Sequence, residues 1–355
     1  MSTVTTAICT CPNLQGALVE YFQTCPITRR PQSPLFSFLN SAENRSNLRS
    51  VINPTGGKKR TITLTYDQPV AVSDANAIAS CDRVCDAETH RGDLCVDYTV
   101  ECTDGFYVEE VVTLSDWNES CRDNGSLMIS KIANLLDGLM ARMYQKVAED
   151  MPPLLGGWSA DVNTSWVDAD DFLNVATASS GTFSPQAFER IDLAKMQTGY
   201  CAPTFLVGGS DLFSYYRLMR AGCCSDQGLD ALAILGLYGE AVAYDRYVAT
   251  EFGNDVSLLL QTGSVQLLSY NAVTPLITNV GVTDLDMTYR NFFEAIILDP
   301  VTGFPIDLSI KQDCGDVHIV LTAAAKPVAL PFDLYPEGHP NNGVNFAAGI
   351  QVVNS

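Results

Sequence analysis

The sequence predicts an α+β protein, in which strand-forming and helix-forming stretches follow one another along the chain. Apolar and polar residues alternate over residues 60–66 and 95–101, as in strands, whereas residues 126–151 have the spacing of a helix. The composition agrees, because 46% hydrophobic and 17% charged residues are typical of a well-packed globular protein. At 355 residues the chain is long enough for one elaborated domain or two.

The first segment, residues 1–57, contains five prolines and only short apolar pieces. It lacks the periodicity of a segment that folds alone, so we expect an extended N-terminal arm that is ordered by neighbouring copies of the chain.

Charge is distributed unevenly along the chain. The first 60 residues hold seven of the 21 Lys and Arg but only two of the 41 Asp and Glu, a balance of +5 that leaves −25 on the rest of a chain with net charge −20. A basic arm on an acidic body predicts contact with the acidic surface of a neighbouring copy, or with phosphate. An accidental imbalance is the alternative. The candidate assembly residues are Arg29, Arg30, Lys58, Lys59 and Arg60.

Two alternating runs, 60–66 and 95–101, are separated by a long polar excursion, which predicts an extended β-hairpin. A third strand is expected at 106–114. A single long amphipathic helix is then expected over 126–151, because Ser126 can cap its N-terminus and Pro152 and Pro153 stop it. Such a helix spans on the order of 35 to 40 Å.

The middle of the chain predicts a compact α/β subdomain. A helix begins after Ser184 and ends near Gly199, a buried strand follows at 203–209, and a second helix covers 211–221. Residues 256–268 form a strand, a turn and a second strand. Late strands are expected at 292–298, 306–310 and 318–322, followed by a tail at 331–355 that is punctuated by Pro and Gly.

Twelve cysteines are spread over the chain, and four of them cluster: Cys81, Cys85, Cys95 and Cys102. Their spacing matches no tight pair of zinc-ligating CxxC motifs. Inert thiols, a late disulfide and zinc remain open for this cluster, and we predict no bound metal.

Three histidines, His90, His318 and His339, would have to serve any His-based mechanism, and nothing local marks one of them. Gly208 and Gly209 predict a tight strand-to-helix turn rather than a phosphate loop. The acidic groups Asp168, Asp170, Asp171 and Glu109, Glu110 predict solvated faces rather than calcium sites. We therefore predict no enzyme and no cofactor.

The sequence has no run of about 18 apolar residues, and its start lacks the basic and apolar regions of a secretion signal. We expect a soluble protein that is not exported by that route and has no membrane partner.

Taken in order, these elements resemble the major capsid proteins of tailed phages, which have the Hong Kong 97 type fold. The strand 203–209 and the helix after it look like that family's axial domain, and residues 126–151 look like the spine helix of its peripheral domain. The resemblance implies an N-terminal arm (1–57), an extended loop (58–105), a peripheral domain (106–165 and 285–355) and an axial domain (166–284).

The resemblance also implies a function: a structural protein that self-assembles, as hexamers and pentamers, into an icosahedral shell around double-stranded DNA. Its partners would be further copies, other capsid, portal, scaffolding or decoration proteins, and DNA through non-specific contact. Its location would be the virion, after assembly in the cytoplasm of a host bacterium. The alternatives are an encapsulin-like nanocompartment shell, another virion protein such as a tail-tube or decoration protein, and a thiol-dependent hydrolase.

Overall fold

The structure is a computed structural model of the chain. It describes residues 11–24, 30–45, 49–53, 59–67, 93–101, 104–113, 115–116, 124–176, 186–200, 203–221, 241–270, 292–313, 316–331, 334–335 and 341–353.

Helices and strands alternate irregularly along the described residues, so the α+β class predicted from the sequence is confirmed. The helices are α1 (Cys11–Thr24), α2 (Pro34–Leu39), α3 (Ala42–Arg45), α4 (Asn124–Glu149), α5 (Gln186–Thr198), α6 (Ser210–Ala221) and α7 (Arg246–Phe252). The strands are β1 (Arg49–Asn53), β2 (Lys59–Asp67), β3 (Asp93–Glu101), β4 (Gly105–Val112), β5 (Leu173–Ala176), β6 (Thr204–Gly208), β7 (Ala241–Tyr244), β8 (Val256–Gln261), β9 (Val265–Tyr270), β10 (Phe292–Leu298), β11 (Pro305–Asp313), β12 (Asp316–Ala329) and β13 (Ala347–Val353).

The strands form three sheets. The hairpin sheet is antiparallel and has the order β1-β2-β3. The helix-backed sheet has the order β10-β11-β12-β4, and β9 pairs with the far end of the long strand β12; all its pairs are antiparallel. The mixed sheet has the order β5-β13-β8-β6-β7, and its two outermost pairs are parallel.

The long helix α4 lies close to the predicted bounds and supplies much of the core. Its apolar residues recur every three or four positions, and Ile132, Leu136 and Met140 are fully buried on the side that packs against β4 and β12. A single 3-10 turn at Pro152–Leu154 follows the helix, because proline cannot continue it.

The N-terminal segment differs from the arm that the sequence predicted. Residues 11–24 form helix α1, and its Leu14, Leu18 and Phe22 are buried in the same core as α4. These positions are four residues apart, so they share one helix face. Pro12 lies in the first turn of α1, where proline is tolerated. This part of the segment is therefore ordered by its own chain.

The predicted strand, turn and strand of residues 256–268 are present, but the two strands belong to different sheets. β8 lies in the mixed sheet between β13 and β6, whereas β9 pairs with β12 of the helix-backed sheet. The short turn between them includes Gly263, whose φ of 86° suits glycine. This turn is a direct covalent crossing between the two large sheets.

The tail predicted at 331–355 contains a central strand. β13 lies in the middle of the mixed sheet, between β5 and β8, and Ala347, Ala348 and Ile350 are buried. Gly349 is needed there, because a Cβ atom at this position would lie 2.2 Å from the ring of Phe172. The mixed sheet thus combines strands from the middle and the end of the chain.

The two large sheets do not follow the predicted domain division, because each contains one strand from the span predicted for the other domain. β9 falls in the span predicted as axial but joins the helix-backed sheet, and β13 falls in the span predicted as peripheral but joins the mixed sheet. Within the part of the chain that the structure describes, no helix is long and apolar enough to cross a membrane.

Candidate functional site

Two features organise the possible interaction surfaces: a segment that ties the sheets together, and the outer face of the helix-backed sheet. The segment comprises residues 30–45 and is called the strap. It runs from Arg30 through α2 and α3, and its Leu35, Phe36 and Leu39 are almost completely buried. The strap is therefore an integral part of the core.

Arg30 anchors the start of the strap in a buried polar cluster. Its guanidinium donates to Asp137 of α4 at 2.7 Å, to Asp299 after β10, and to the hydroxyl of Tyr144 at 3.1 Å. The rings of Phe22 and Tyr144 lie 6.0 and 5.5 Å from the guanidinium carbon, within range of cation–π attraction. One cation thus joins the strap, the long helix and the helix-backed sheet.

The charges of this cluster do not balance, because one guanidinium faces two carboxylates. Burial is the largest single influence and lowers the pKa of Arg30, but the charges of Asp299 and Tyr144 and the hydrogen bonds to both together outweigh it, so the pKa is raised. Burial raises the pKa of Asp137 above its ordinary value against the opposing charge of Arg30, and the charge of Asp299 raises it further. Burial also raises the pKa of Tyr144 to about 12, which keeps the phenol protonated.

Asp245 fixes the middle of the strap to the mixed sheet. It follows β7 and caps α7, accepting hydrogen bonds from the backbone N–H groups of Tyr247 at 2.8 Å and Val248 at 3.3 Å. Its second oxygen accepts from the Ser33 hydroxyl at 2.6 Å and from the Leu35 N–H at 3.0 Å. A single buried carboxylate therefore binds the starts of both α7 and α2.

Asn44 holds the end of the strap against the crossing between β8 and β9. Its side chain donates to the carbonyl of Val265 at 2.7 Å and accepts from the N–H of Gly263 at 2.8 Å. Its own carbonyl accepts from the side chain of Gln266 at 2.6 Å. These bonds fix the backbone at the point where the chain passes from one sheet to the other.

The outer face of the helix-backed sheet is the face turned away from α4. Alternation along β4 and the cross-strand register place its members on one side of the sheet. They are Tyr107, Glu109 and Val111 of β4, His318, Val320 and Thr322 of β12, Asp307, Ser309 and Lys311 of β11, and Glu294 and Ile296 of β10.

This outer face is both apolar and acidic. Tyr107 is 71% exposed and Val111 38% exposed. Glu109 and Glu294 are partly exposed carboxylates of this face, Asp307 is a buried one, and Lys311 supplies an ammonium. Burial, and then the charge of Asp307, raises the pKa of Glu294. The outer face therefore matches a partner that offers apolar contact and positive charge.

His318 lies on the same face, where its Nδ1 is 3.1 Å from a carboxylate oxygen of Glu109. Both side chains are partly exposed to solvent. This placement gives the imidazole a carboxylate neighbour.

The hairpin sheet packs against the helix-backed sheet along strand β2. Ile62, Leu64 and Tyr66 alternate along β2 and are buried in one cluster with residues of β9 and β12. The hydroxyl of Tyr98 also donates to the carbonyl of Ala329 at 3.1 Å. Apolar burial therefore orients the two strands of the predicted extended loop.

The candidate assembly residues have different placements. Arg30 is buried and binds two carboxylates of its own chain. Lys59 and Arg60 lie in β2, opposite Glu101 and Val100 of β3. Arg29 and Lys58 lie outside the described residues. An assembly role for this set stays a prediction.

Of the candidate cysteine cluster, the structure describes Cys95, which lies in β3 opposite Thr65 of β2. Cys81, Cys85 and Cys102 lie outside the described residues, as do His90 and His339. Among the side chains that the structure describes, no group of three or more His, Cys, Asp or Glu could hold a metal ion.

The remaining predicted motifs are local. Gly208 and Gly209 form a tight turn. Glycine is required at position 209, because a Cβ atom there would lie 2.1 Å from the carbonyl oxygen of Asn254. A side-chain oxygen of Asp168 accepts from the N–H of Asp170 at 3.0 Å, closing a turn on itself. Glu110 forms an ion pair with Lys131 of α4.

Sequence analysis did not single out Asp137, Asp299, Asp245 or Asn44. Asp245 carries a readable signal, because an Asp directly before a helical stretch is a preferred N-cap. The others carry none, since their partners lie more than 100 residues away along the chain.

No protein-family model matches the sequence, and no curated protein matches it. Solved structures do match. The capsid asymmetric unit of cyanophage A-1(L) has a TM-score of 0.49 at 12% identity, with 90% of this chain and 92% of that chain covered. The capsid of Ralstonia phage GP4 has a TM-score of 0.45 at 11% identity, covering 90% and 91%. A virus-like particle from Pyrococcus furiosus has a TM-score of 0.43 at 9% identity, covering 95% and 98%.

Two of these three structures are capsids of phages.

Proposed function

We propose that this chain is a structural subunit that assembles with copies of itself, and that it is not an enzyme. The observation that carries the proposal is the outer face of the helix-backed sheet, where Tyr107 is 71% exposed and Val111, four residues further along β4, is 38% exposed. An antiparallel sheet can turn a polar face to water, but an exposed aromatic and aliphatic group is typical of an interaction surface.

More particularly, the subunit is the major capsid protein of a tailed phage, forming an icosahedral shell of hexamers and pentamers around double-stranded DNA. The order of elements supports this assignment: an N-terminal segment, a hairpin, one long helix and a mixed sheet. Its place is the virion, after assembly in the host bacterium. Its peripheral and axial domains are the helix-backed and mixed sheets, so that β9 and β13 belong to the opposite domain from the one predicted.

The partner of the outer face is the basic part of a second copy. The first 60 residues carry +5 and the rest of the chain −25, so an interface that joins the two brings opposite charges together. Lys58, Lys59 and Arg60 are consecutive basic residues of the sequence, of which Lys59 and Arg60 begin β2, and they are the residues proposed to meet Glu109 and Glu294. Arg30 acts inside its own chain, by holding the strap in place.

Negative-stain electron microscopy with sedimentation tests the assembly role. Closed shells, or rings of five and six subunits, are expected from the purified chain, alone or with its scaffolding protein. A species that stays monomeric or dimeric at every concentration and salt, with scaffolding protein present, would overturn the proposal. DNA inside native particles is expected, whereas a protein cargo would assign the shell to an encapsulin-like compartment.

The outer face is tested by Tyr107→Lys. A new positive charge beside a basic partner should abolish shells and rings while leaving the subunit folded. Thr164→Lys is the matched control, because Thr164 is exposed in a turn that belongs to no strand of the helix-backed sheet. If Tyr107→Lys assembled normally, the outer face would not be part of the interface between subunits.

A further inference from the structure

Contacts of the strap alternate between the two large sheets. Its first bond to the mixed sheet runs from Ser33 to Asp245, which follows β7. Five residues later, the ring of Phe38 stacks on Phe205 of β6, with centroids 4.7 Å apart and planes 16° apart. These two contacts, from Ser33 and from Phe38, fix the strap to the mixed sheet.

Other residues of the strap bind the turn that joins β10 and β11 of the helix-backed sheet. Arg30 binds Asp299 at the start of this turn, and the side chain of Asn40 donates to the carbonyl of Thr302 at 2.8 Å. The ring of Phe36 packs on Phe304 with centroids 5.3 Å apart. The turn is therefore held at three points by the strap.

The turn is itself well ordered by internal bonds. Asp299 accepts from the N–H and the hydroxyl of Thr302, at 2.9 and 2.6 Å, and the N–H of Gly303 donates to its carbonyl at 2.8 Å. A rigid turn on one side and a rigid cap at Asp245 on the other leave the short strap between them little freedom to stretch.

We infer that the strap couples the two sheets, so that loosening its bond to either sheet loosens its bonds to the other. This coupling is a conformational device within one subunit, and it does not depend on the proposed assembly role. Contiguity alone does not establish coupling, so the test measures each sheet while the bond to the other is removed.

Amide hydrogen exchange of the full chain, resolved by mass spectrometry of peptides, provides this measurement. Ser33→Ala removes the hydroxyl that donates to the buried carboxylate of Asp245 and that accepts from the N–H of Phe36 as the N-cap of α2, and it leaves the groups of the distant turn unchanged. Exchange at residues 299–304 should then rise by about tenfold, the scale of losing a hydrogen bond to a charged group.

The reciprocal variant is Asn40→Ala, which removes the bond to Thr302. It should raise exchange at the α7 cap, residues 245–248, by a similar factor. Ser37→Ala is the matched control: Ser37 lies in the same helix, is exposed, and bonds the carbonyl of Ser33 within the strap. It should leave exchange at both distant sites within about twofold of the unchanged chain.

Peptides from the hairpin sheet, residues 93–101, serve as the internal reference. Faster exchange at the distant site with an unchanged reference supports coupling. Faster exchange confined to the neighbourhood of each substitution would mean that the bonds of the strap to the two sheets are independent, and would overturn the inference. A uniform increase that includes the reference would mean global destabilisation and would overturn it as well.

Discussion

Arg30 and Asp299 form an ion pair across 269 positions of sequence, with side chains only 3% and 0% exposed. Tyr144 and Asp137 of α4 complete the cluster. Removing the cation would leave two carboxylates in the interior, where an unpaired charge is strongly unfavourable.

We therefore expect Arg30→Ala to lower the free energy of unfolding by about 3–5 kcal/mol. Arg142→Ala is the matched control, because its ion pair with Glu149 is 42% and 31% exposed and such pairs contribute about 1 kcal/mol or less. Denaturant unfolding of both variants measures the difference. If both variants lost the same free energy of unfolding, the buried cluster would contribute no more to stability than a surface ion pair.

Asp137 gives the cluster a predictable pH dependence. Burial raises its pKa in the folded chain above the ordinary value of 3.8, so the folded state binds a proton more readily than the unfolded state. The contribution of Asp137 to stability is thus fully present at or below pH 3.8 and is lost as pH rises through the raised pKa.

The stability of the unchanged chain minus that of Asp137→Asn should therefore fall as pH rises from about 4 to 7. Denaturant midpoints of the two proteins across this range provide the measurement. A difference that grows with pH would mean that the charge of Arg30 outweighs burial at Asp137.

Two glycines should respond in opposite directions to alanine. A Cβ on Gly105 would lie 2.3 Å from the carbonyl oxygen of Ala323, a backbone atom of β12, so Gly105→Ala should destabilise by about 1–3 kcal/mol. Gly138 lies in α4 with nothing within 4 Å of its Cβ position. There, alanine should stabilise by about 0.5–1 kcal/mol through helix propensity. Thermal unfolding of the two variants decides the sign of each effect.

The buried side of α4 should not tolerate charge. Leu136→Asp places a carboxylate at a fully buried position and should cost several kcal/mol, enough to abolish folding. Asn134→Asp adds the same charge on the exposed side of the helix and should be tolerated. Circular dichroism of the soluble fractions compares them, and a cooperative transition in Leu136→Asp would contradict the packing of this helix.

The elements that sequence predicted well are those with strong local periodicity. Helix α4 was predicted because apolar residues recur every three or four positions without an internal proline, and β2 and β3 because polar and apolar residues alternate. In each case one face of the element is buried, so the burial pattern appears directly in the sequence.

The elements that sequence missed have weaker local signals. β13 is buried on both faces, so Ala347, Gly349 and Ile350 show no alternation. In α1, Leu14 and Leu18 have helical spacing, but nearby prolines made the segment look extended. The Arg30 cluster depends on pairings more than 100 residues apart, which local patterns do not encode.

The order in which the chain is synthesised gives the N-terminal helix a further property. Gln15 of α1 exchanges two hydrogen bonds with the backbone of Leu298, at 2.8 and 2.9 Å, and these residues are 283 positions apart. A ribosome adds roughly 5–20 residues per second, so the helix waits about 15–60 seconds for this partner to be made. Helix α4, which also packs on α1, is made earlier, so only the part of α1 that contacts β10 stays uncovered throughout that interval, and a chaperone or a second nascent chain can bind it.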